Sequence, residues 1–182
     1  LSRDMQSPTE LSLRRLKRVL QYMDRYPEME WKFEDRSLPM VIHVMTDADL
    51  AGDLGTRRSV SGGLVTVGRS LVSSWSKLQT SVALSSAESE FMAMMLAGQE
   101  ALYVQNFLGE LDVHASIELD TDSSSAKTFA ERPGVGRIKH LQLKWLKLKE
   151  LTTLGVVILK KVKGTENPAD ILTKPLDKSN MA

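Results

Sequence analysis

The amino-acid sequence predicts an α/β protein whose main domain opens with three consecutive antiparallel strands. Side chains alternate between two faces over residues 41–46, and two further β-prone segments, 59–67 and 70–77, are joined by a tight two-residue turn. Beyond them, helical periodicity over residues 84–109 and 138–153 is separated by a short strand-like run. The whole order is strand, strand, strand, helix, strand, helix, helix, strand and helix, which is typical of an α/β fold.

Composition places the chain among ordinary globular proteins and narrows the kinds of metal site it could form. Of its 182 residues, 42% are hydrophobic and 26% are charged, and the net charge of +1 by itself gives no argument for nucleic acid. The absence of cysteine excludes disulfides and thiolate ligands. With three histidines, a metal must rest largely on oxygen ligands, which favours magnesium, manganese or calcium. No uncharged apolar run approaches the roughly 18 residues of a membrane span.

The first 38 residues predict an amphipathic helix followed by a short strand. Thr9 is a candidate N-cap, Pro27 ends the helix, and residues 30–33 have strand-like side chains. Apolar residues recur at helical spacing along one face: Leu13, Leu16, Val19, Leu20 and Met23. The opposite face is rich in arginine and lysine, which is more typical of a solvated face than of a nucleic-acid contact.

Acidic residues cluster where the first strand of the main domain ends. Asp47, Asp49 and Asp53 follow the alternating segment within a few residues of one another. Carboxylates this close repel one another unless a cation lies between them. The segment is therefore either one wall of a divalent-metal site or a solvated turn rich in aspartate. In the next strand, Gly62 and Gly63 predict a bulge or a close approach of another backbone segment.

The long helix carries a second acidic candidate in its first turn. Ser85 and Glu88 have the spacing of a capping box, which gives Glu88 a structural role and leaves Glu90 without one. Glu90 leads a face of small and apolar residues that continues through Met94 and Ala97, so it is predicted to point into the fold. An inward carboxylate without a capping role is more often functional than structural.

Two more acids occupy junctions between elements in the second half of the chain. Asp122 follows the predicted strand 116–121, where it could serve as an N-cap or as a site residue. After the predicted strand 156–162, Asn167 and the proline beyond it mark the start of a short helix. Asp170 lies in the first turn of that helix, where the helix dipole favours a carboxylate.

Four acids therefore lie at element junctions: Asp47, Glu90, Asp122 and Asp170. Four convergent carboxylates can hold two divalent cations about 4 Å apart, which stabilises both the attacking and the leaving oxygen in phosphodiester hydrolysis. This chemistry needs no histidine nucleophile, which suits a chain so poor in histidine.

A basic stripe on the predicted helix 138–153 is the candidate nucleic-acid contact. His140, Lys144 and Lys147 fall at i, i+4 and i+7, a pattern that fits phosphate contacts and a solvated face about equally well. Lys139 beside the stripe completes the set of candidate phosphate contacts.

Six segments, in the same order along the chain, resemble the ribonuclease H domain of copia-type LTR retrotransposon polyproteins. The strings SSAESE and NPADILTKPL are the most specific of these matches. The full set is TDADLAGD (46–53), RRSVSGG (57–63), VALSSAESEFMAM (82–94), LDTDSSSA (119–126), RIKHLQLKWL (137–146) and GTENPADILTKPL (164–176).

The resemblance implies a ribonuclease H-like fold, in which a five-stranded mixed sheet of three antiparallel and then two parallel strands is flanked by helices. It implies that the chain is a piece of a longer polypeptide. Residues 1–38 would be the tail of the reverse transcriptase connection, 39–177 the ribonuclease H domain and 178–182 a disordered end.

The same resemblance implies which residues act and on what. By match to the family pattern, Asp47, Glu90, Asp122 and Asp170 are the catalytic and metal-binding acids. The implied activity is a two-metal-ion endonuclease using Mg²⁺, with Mn²⁺ as a substitute. It would cleave the RNA strand of an RNA–DNA hybrid and leave 3′-hydroxyl and 5′-phosphate ends. The implied partners are the hybrid and the polymerase domain of the same polyprotein, and the implied locations are intracellular: cytoplasmic virus-like particles and the nucleus.

Three positions depart from the family pattern. Leu50 stands where tryptophan is common, Ser123 stands where asparagine is usual, and the loop 164–167 lacks the histidine of cellular ribonucleases H. None of these changes removes a carboxylate, so we expect altered packing, substrate contact or product release and not loss of activity. Two alternatives from other classes are a non-catalytic hybrid-binding module that needs its polymerase domain, and an integrase or transposase, which typically uses three acids.

Overall fold

The computed structural model divides the chain into two compact units, Leu1–Phe33 and Glu34–Ala182. The residues it describes are 5–28, 30, 33, 40–131 and 143–174, with side chains in the last range from residue 147 onward. The predicted domain boundary after residue 38, the start of the predicted helix 138–153 and the predicted end segment 178–182 lie outside these residues.

In its described residues, the first unit contains one helix, α1, Glu10–Arg25. Thr9 caps it as predicted, because its hydroxyl accepts a hydrogen bond from the Ser12 backbone N–H at 3.2 Å. The apolar residues of α1 are exposed to solvent, Leu13 and Leu20 among them. Of the predicted strand 30–33, the two described residues, Glu30 and Phe33, lie outside any strand.

The second unit is built on a five-stranded mixed sheet with the order β3-β2-β1-β4-β5. The strands are β1 Met40–Asp49, β2 Val60–Val67, β3 Ser70–Leu78, β4 Ala115–Thr121 and β5 Val157–Lys161. The pairs β1–β2 and β2–β3 are antiparallel, whereas β1–β4 and β4–β5 are parallel. The predicted sheet of three antiparallel and two parallel strands is confirmed.

Helices connect and cover these strands. They are α2 Ser86–Glu110, α3 Ser124–Glu131 and α4 Leu143–Thr153, followed by two short 3₁₀ helices, Gly164–Glu166 and Pro168–Leu172. The predicted last helix is thus a 3₁₀ helix of five residues. A segment this short closes few i→i+4 hydrogen bonds, so the tighter turn is the ordinary outcome.

The core lies between the sheet and α2. Ile42 and Val44 of β1 are completely buried, as are Met94 and Ala97 of α2. These side chains belong to the faces that the period-2 and helical patterns assigned to the interior. Because β1 is the central strand and α2 crosses it, residues at the carboxyl end of β1 lie beside the first turns of α2.

The paired glycines of β2 mark two close approaches. A Cβ atom on Gly62 would come within 2.7 Å of Thr173 Cγ2, and one on Gly63 would come within 2.3 Å of the Trp75 ring. The predicted close approach is confirmed. The irregularity in the β2–β3 pairing lies between Val65 and Thr66, a short distance from the glycines. None of the helices in the described ranges is long and apolar enough to cross a membrane.

Candidate active site

Asp47 lies near the end of the central strand, one residue past the last β1–β4 pair, Thr46 with Thr121. It remains paired with Gly62 of β2, so its backbone is held in the sheet. Its side chain is only 3% exposed. The hydroxyl of Thr173 donates a hydrogen bond to Oδ2 of this carboxylate, which fixes its orientation.

Glu90 projects from the first turns of α2 toward the same end of β1. The carboxylate of Glu88 accepts a hydrogen bond from the backbone N–H of Leu84 at 2.8 Å, and Ser85 accepts one from the Glu88 N–H at 3.2 Å. Glu88 thus has the predicted capping role, although it reaches one residue further back than a standard capping box. Glu90 is 6% exposed and accepts a backbone hydrogen bond from Ala48.

Asp122 follows β4 directly, and it is not the cap of α3. Ser123 takes that role, because its hydroxyl accepts a hydrogen bond from the Ala126 N–H at 3.2 Å. The capping alternative for Asp122 is therefore wrong, and its carboxylate is left for another use. Gly164 faces it closely, since a Cβ atom there would lie 3.1 Å from Asp122 Oδ2.

Asp170 is brought to the sheet by the 3₁₀ helix Pro168–Leu172. Asn167 caps this helix through Oδ1, which accepts from the Ala169 N–H at 3.1 Å. Its Nδ2 donates to the Thr46 carbonyl at 2.9 Å, so one buried amide ties the helix to β1. The ammonium of Lys174 lies 3.1 Å from Asp170 Oδ2.

Three of the four predicted acids converge in space. Asp47, Asp122 and Asp170 each present one carboxylate oxygen, and these oxygens all lie within 4.8 Å of one another. Glu90 is not a member of that set, but its charge interacts with those of Asp47 and Asp122. Its carboxylate is therefore a neighbour of the cluster.

The electrostatics of the cluster fit a divalent cation. Burial, and next the charges of Asp47 and Asp122, raise the pKa of Glu90 to about 8. Burial raises the pKa of Asp47, and the Thr173 hydrogen bond offsets part of that rise. Within the described part of the chain, Glu90 Oε2 and Asp170 Oδ1 are buried oxygens without a hydrogen-bond partner. Unpartnered buried oxygens and mutually repelling carboxylates are the features that a hard cation relieves.

Comparison with known proteins gives the family. No model of a known protein family matches the chain. Over 131 residues it is 37% identical to the retrovirus-related Pol polyprotein from transposon TNT 1-94 of Nicotiana tabacum, covering 71% of this chain and 10% of that protein. It is 29% identical over 182 residues to the Pol polyprotein from transposon RE1 of Arabidopsis thaliana, covering 98% of this chain and 12% of that protein. The chain belongs to the retrovirus-related Pol polyproteins of transposons. It spans about a tenth of their length.

Solved structures show the fold of this Pol segment. LC11-RNase H1, isolated from compost by a metagenomic approach, matches with a TM-score of 0.56 and 15% identity over 73% of this chain and 92% of that one. RNase H1 from Halobacterium salinarum matches with a TM-score of 0.54 and 18% identity, covering 72% of this chain and 93% of that one. LC11-RNase H1 in complex with an RNA/DNA hybrid matches with a TM-score of 0.51 and 18% identity, covering 78% of this chain and 99% of that one. The predicted ribonuclease H-like fold is confirmed.

The predicted phosphate contacts of the Pol segment are only partly described. Lys139 and His140 lie outside the described residues, and of Lys144 only the backbone, in α4, is described. Lys147 is exposed on α4, where its ammonium lies 3.1 Å from Glu150 Oε2. Exposed ion pairs of this kind are weak, so Lys147 is able to exchange Glu150 for another anion.

Sequence reasoning missed the roles that four further residues have at the site. Thr173 and Lys174 contact Asp47 and Asp170, Asn167 was read only as a helix start, and Gly62 provides space for Thr173. Two of these contacts have a local signal, the spacing of Lys174 four residues after Asp170 and the paired glycines 62 and 63.

Proposed function

We propose that this Pol segment is a divalent metal-dependent endonuclease that cleaves the RNA strand of RNA–DNA hybrids and leaves 3′-hydroxyl and 5′-phosphate ends. The observation that carries the proposal is the convergence of Asp47, Asp122 and Asp170 within 4.8 Å, with Glu90 beside them. It stands on a ribonuclease H-like fold in a chain related to Pol polyproteins.

All four acids have a part in this proposal, and that of Glu90 differs from that of the three aspartates. Asp47, Asp122 and Asp170 would hold divalent cations, Mg²⁺ or Mn²⁺, and the unpartnered oxygen of Glu90 would complete the ligand set. When bound, such cations supply an activated water and stabilise the leaving 3′-oxygen. Glu90 has a pKa of about 8, so it would have to lose a proton to serve as a ligand. Thr173 keeps Asp47 in one orientation throughout.

The substrate proposal rests on the related fold and on the basic residues that the sequence predicts as phosphate contacts. A ribonuclease H of the same fold has been solved with an RNA/DNA hybrid bound. We assign Lys139, His140, Lys144 and Lys147 to the phosphates of the hybrid, so binding should be nearly independent of sequence and weaken as salt rises. The polymerase part of the same polyprotein is the proposed partner during reverse transcription, in cytoplasmic virus-like particles and the nucleus.

The direct experiment is cleavage of a labelled RNA–DNA hybrid by the 182-residue chain, beside double-stranded RNA and double-stranded DNA of the same sequence. Each substrate is incubated with Mg²⁺, Mn²⁺ or EDTA. We expect the RNA strand of the hybrid alone to be cut, only with a divalent cation, and the products to carry a 3′-hydroxyl that a polymerase can extend.

Two aspartate-to-asparagine variants make this test specific to the site. Asp122→Asn removes a carboxylate of the cluster and should abolish cleavage while hybrid binding persists. Asp112→Asn is the matched control, because Asp112 is exposed and has a φ of 58° that asparagine also adopts. Undiminished cleavage by Asp122→Asn would refute the site. If the wild-type chain binds hybrid tightly but does not cut it in any metal, the proposed activity is wrong and a binding module takes its place.

A further inference from the structure

The carboxylate cluster has a cation of its own at its edge. Lys174 Nζ lies 3.1 Å from Asp170 Oδ2, with the two side chains 45% and 22% exposed. Its charge also acts on Asp47 and Glu90, in addition to Asp170. Lys174 thus interacts with the cluster as a whole, beyond its i, i+4 partner.

The backbone around Lys174 holds it in this place. Both the Thr173 N–H and the Lys174 N–H donate to the Asp170 carbonyl at 3.2 Å. The Thr173 hydroxyl donates to the Asp47 carboxylate, and its oxygen lies 3.1 Å from the same Asp170 carbonyl. Residues 173 and 174 are therefore attached to the Asp170 carbonyl, and Thr173 also to the Asp47 carboxylate. They lie beside the two carboxylates contributed by β1 and the 3₁₀ helix.

We propose that Lys174 is a built-in counter-ion of this site, which neutralises Asp170 and its neighbours when no divalent cation is bound and is displaced from Asp170 when one binds. The inference rests on the proposed function, because it takes the carboxylates to be a metal site. Its physical basis is competition, since an ammonium and a divalent cation stabilise the same oxygens and repel each other.

The proposal has a thermodynamic consequence that a surface ion pair lacks. Lys174 stabilises the metal-free fold but contributes little once a divalent cation neutralises the acids. Removing its charge should therefore destabilise the metal-free protein and tighten metal binding by the same free energy, because the two effects share one thermodynamic cycle.

The test is Mn²⁺ binding to the whole chain by calorimetry, with Lys174→Met, Lys174→Arg and the control Lys77→Met. Lys77 is the matched control, because it lies 3.2 Å from Glu100 with the two side chains 55% and 29% exposed, outside the cluster. We expect Lys174→Met to bind Mn²⁺ roughly three- to tenfold more tightly than wild type, the size of an ion pair strengthened by neighbouring charges. Lys174→Arg and Lys77→Met should bind it as wild type does.

Thermal melting separates this role from a merely structural one. We expect Lys174→Met to melt below wild type in EDTA and level with it in saturating Mn²⁺. An equal deficit in both conditions, or Mn²⁺ affinity equal to or weaker than that of wild type, would overturn the counter-ion role. If Mn²⁺ binds to neither the wild type nor Lys174→Met, the metal site of the proposed function is wrong. The counter-ion role is then wrong as well.

Discussion

Two clusters of charged residues lie on the same pair of parallel strands, β1 and β4, and they are balanced in opposite ways. In mid-strand, Glu118 of β4 contacts a basic side chain from each neighbouring strand, His43 of β1 at 3.3 Å and Lys160 of β5 at 2.6 Å. At the carboxyl ends of the strands, Asp47 and Asp122 meet further acids, and Lys174 is the lysine whose charge reaches Asp47.

The difference teaches how to tell a structural ion pair from a site that awaits a ligand. In the mid-strand cluster, His43 and Lys160 contact Glu118, and both also offset part of the rise that burial causes in the pKa of neighbouring Asp120, whose Oδ1 has no hydrogen-bond partner. In the terminal cluster, by contrast, the charges of Asp47 and Asp122 add to burial in raising the pKa of Glu90, and buried oxygens of Glu90 and Asp170 have no partners. Excess like charge that the fold retains is the physical mark of a functional site.

The largest expected effect comes from removing a carboxylate of the terminal cluster, and the same change in the mid-strand cluster is the comparison. Asp47→Asn should lower metal-dependent hybrid cleavage by more than about 100-fold, because even the residues that only support metal ligands are worth about 10- to 100-fold. Its metal-free stability should rise, since a buried like charge is removed.

Glu118→Gln is the opposite case on the neighbouring strand. It should keep wild-type cleavage and lose about 1 kcal/mol of stability, because it weakens contacts with His43 and Lys160. Cleavage rates and denaturant unfolding of both variants check the pair. Loss of cleavage in Glu118→Gln together with its retention in Asp47→Asn would reverse the assignment of the two clusters.

A second, smaller effect is the response of the terminal cluster to pH. Glu90 has a pKa of about 8 in the fold against an ordinary value of 4.5, so the folded protein binds more protons than the unfolded chain between those values. The contribution of Glu90 to the unfolding free energy should therefore be highest below about pH 4.5. It should fall by up to about 1.4 kcal/mol per pH unit as pH rises toward 8.

Denaturant unfolding in EDTA from pH 5 to 8 measures this slope. Glu90→Gln, which has no proton to lose, should reduce it, and saturating Mg²⁺ should reduce it in the wild type. Glu100→Gln is the control on the same helix, with a carboxylate paired to Lys77, and should keep the wild-type slope. A wild-type slope in Glu90→Gln would contradict the raised pKa.

The sequence predicted the acids of the site better than the residues that support them. Asp47 and Glu90 could be found locally, because strand alternation and a capping box say which side chain remains without a structural role. The partnership of Thr173 with Asp47 spans 126 residues of chain, and no local pattern encodes such a contact.

The convergence of the acids was also beyond local patterns. Element junctions suggested that Asp122 and Asp170 matter, but the resemblance to a known family was what predicted that they meet. The structure shows why they do, since the buried amide of Asn167 attaches the segment of Asp170 to the Thr46 carbonyl beside Asp47. The five-stranded mixed sheet was also predicted from the resemblance, because hydrophobic periodicity predicts strands but not which strands are neighbours.

The smallest expected loss of cleavage tests the close approach of the Asp170 segment to β2. Alanine at Gly62 would place its Cβ 2.7 Å from Thr173 Cγ2, 2.9 Å from Leu172 Cβ and 3.1 Å from the Ala169 carbonyl oxygen. Two of these atoms are side-chain carbons close to the backbone, so the 3₁₀ segment must move. We expect Gly62→Ala to cost about 1–3 kcal/mol, as overpacking does, and to loosen the hydrogen bond from Thr173 to Asp47.

Gly109→Ala is the control, because its Cβ would meet no atom within 4 Å and it lies in α2. It should stabilise the protein by about 0.5–1 kcal/mol through helix propensity, with no change in cleavage. Gly62→Ala should instead lower cleavage by roughly tenfold, since catalytic groups displaced by a fraction of an ångström lose part of their effect. Unchanged cleavage in a destabilised Gly62→Ala protein would contradict this expectation. It would mean that the carboxylate site tolerates displacement of the 3₁₀ segment.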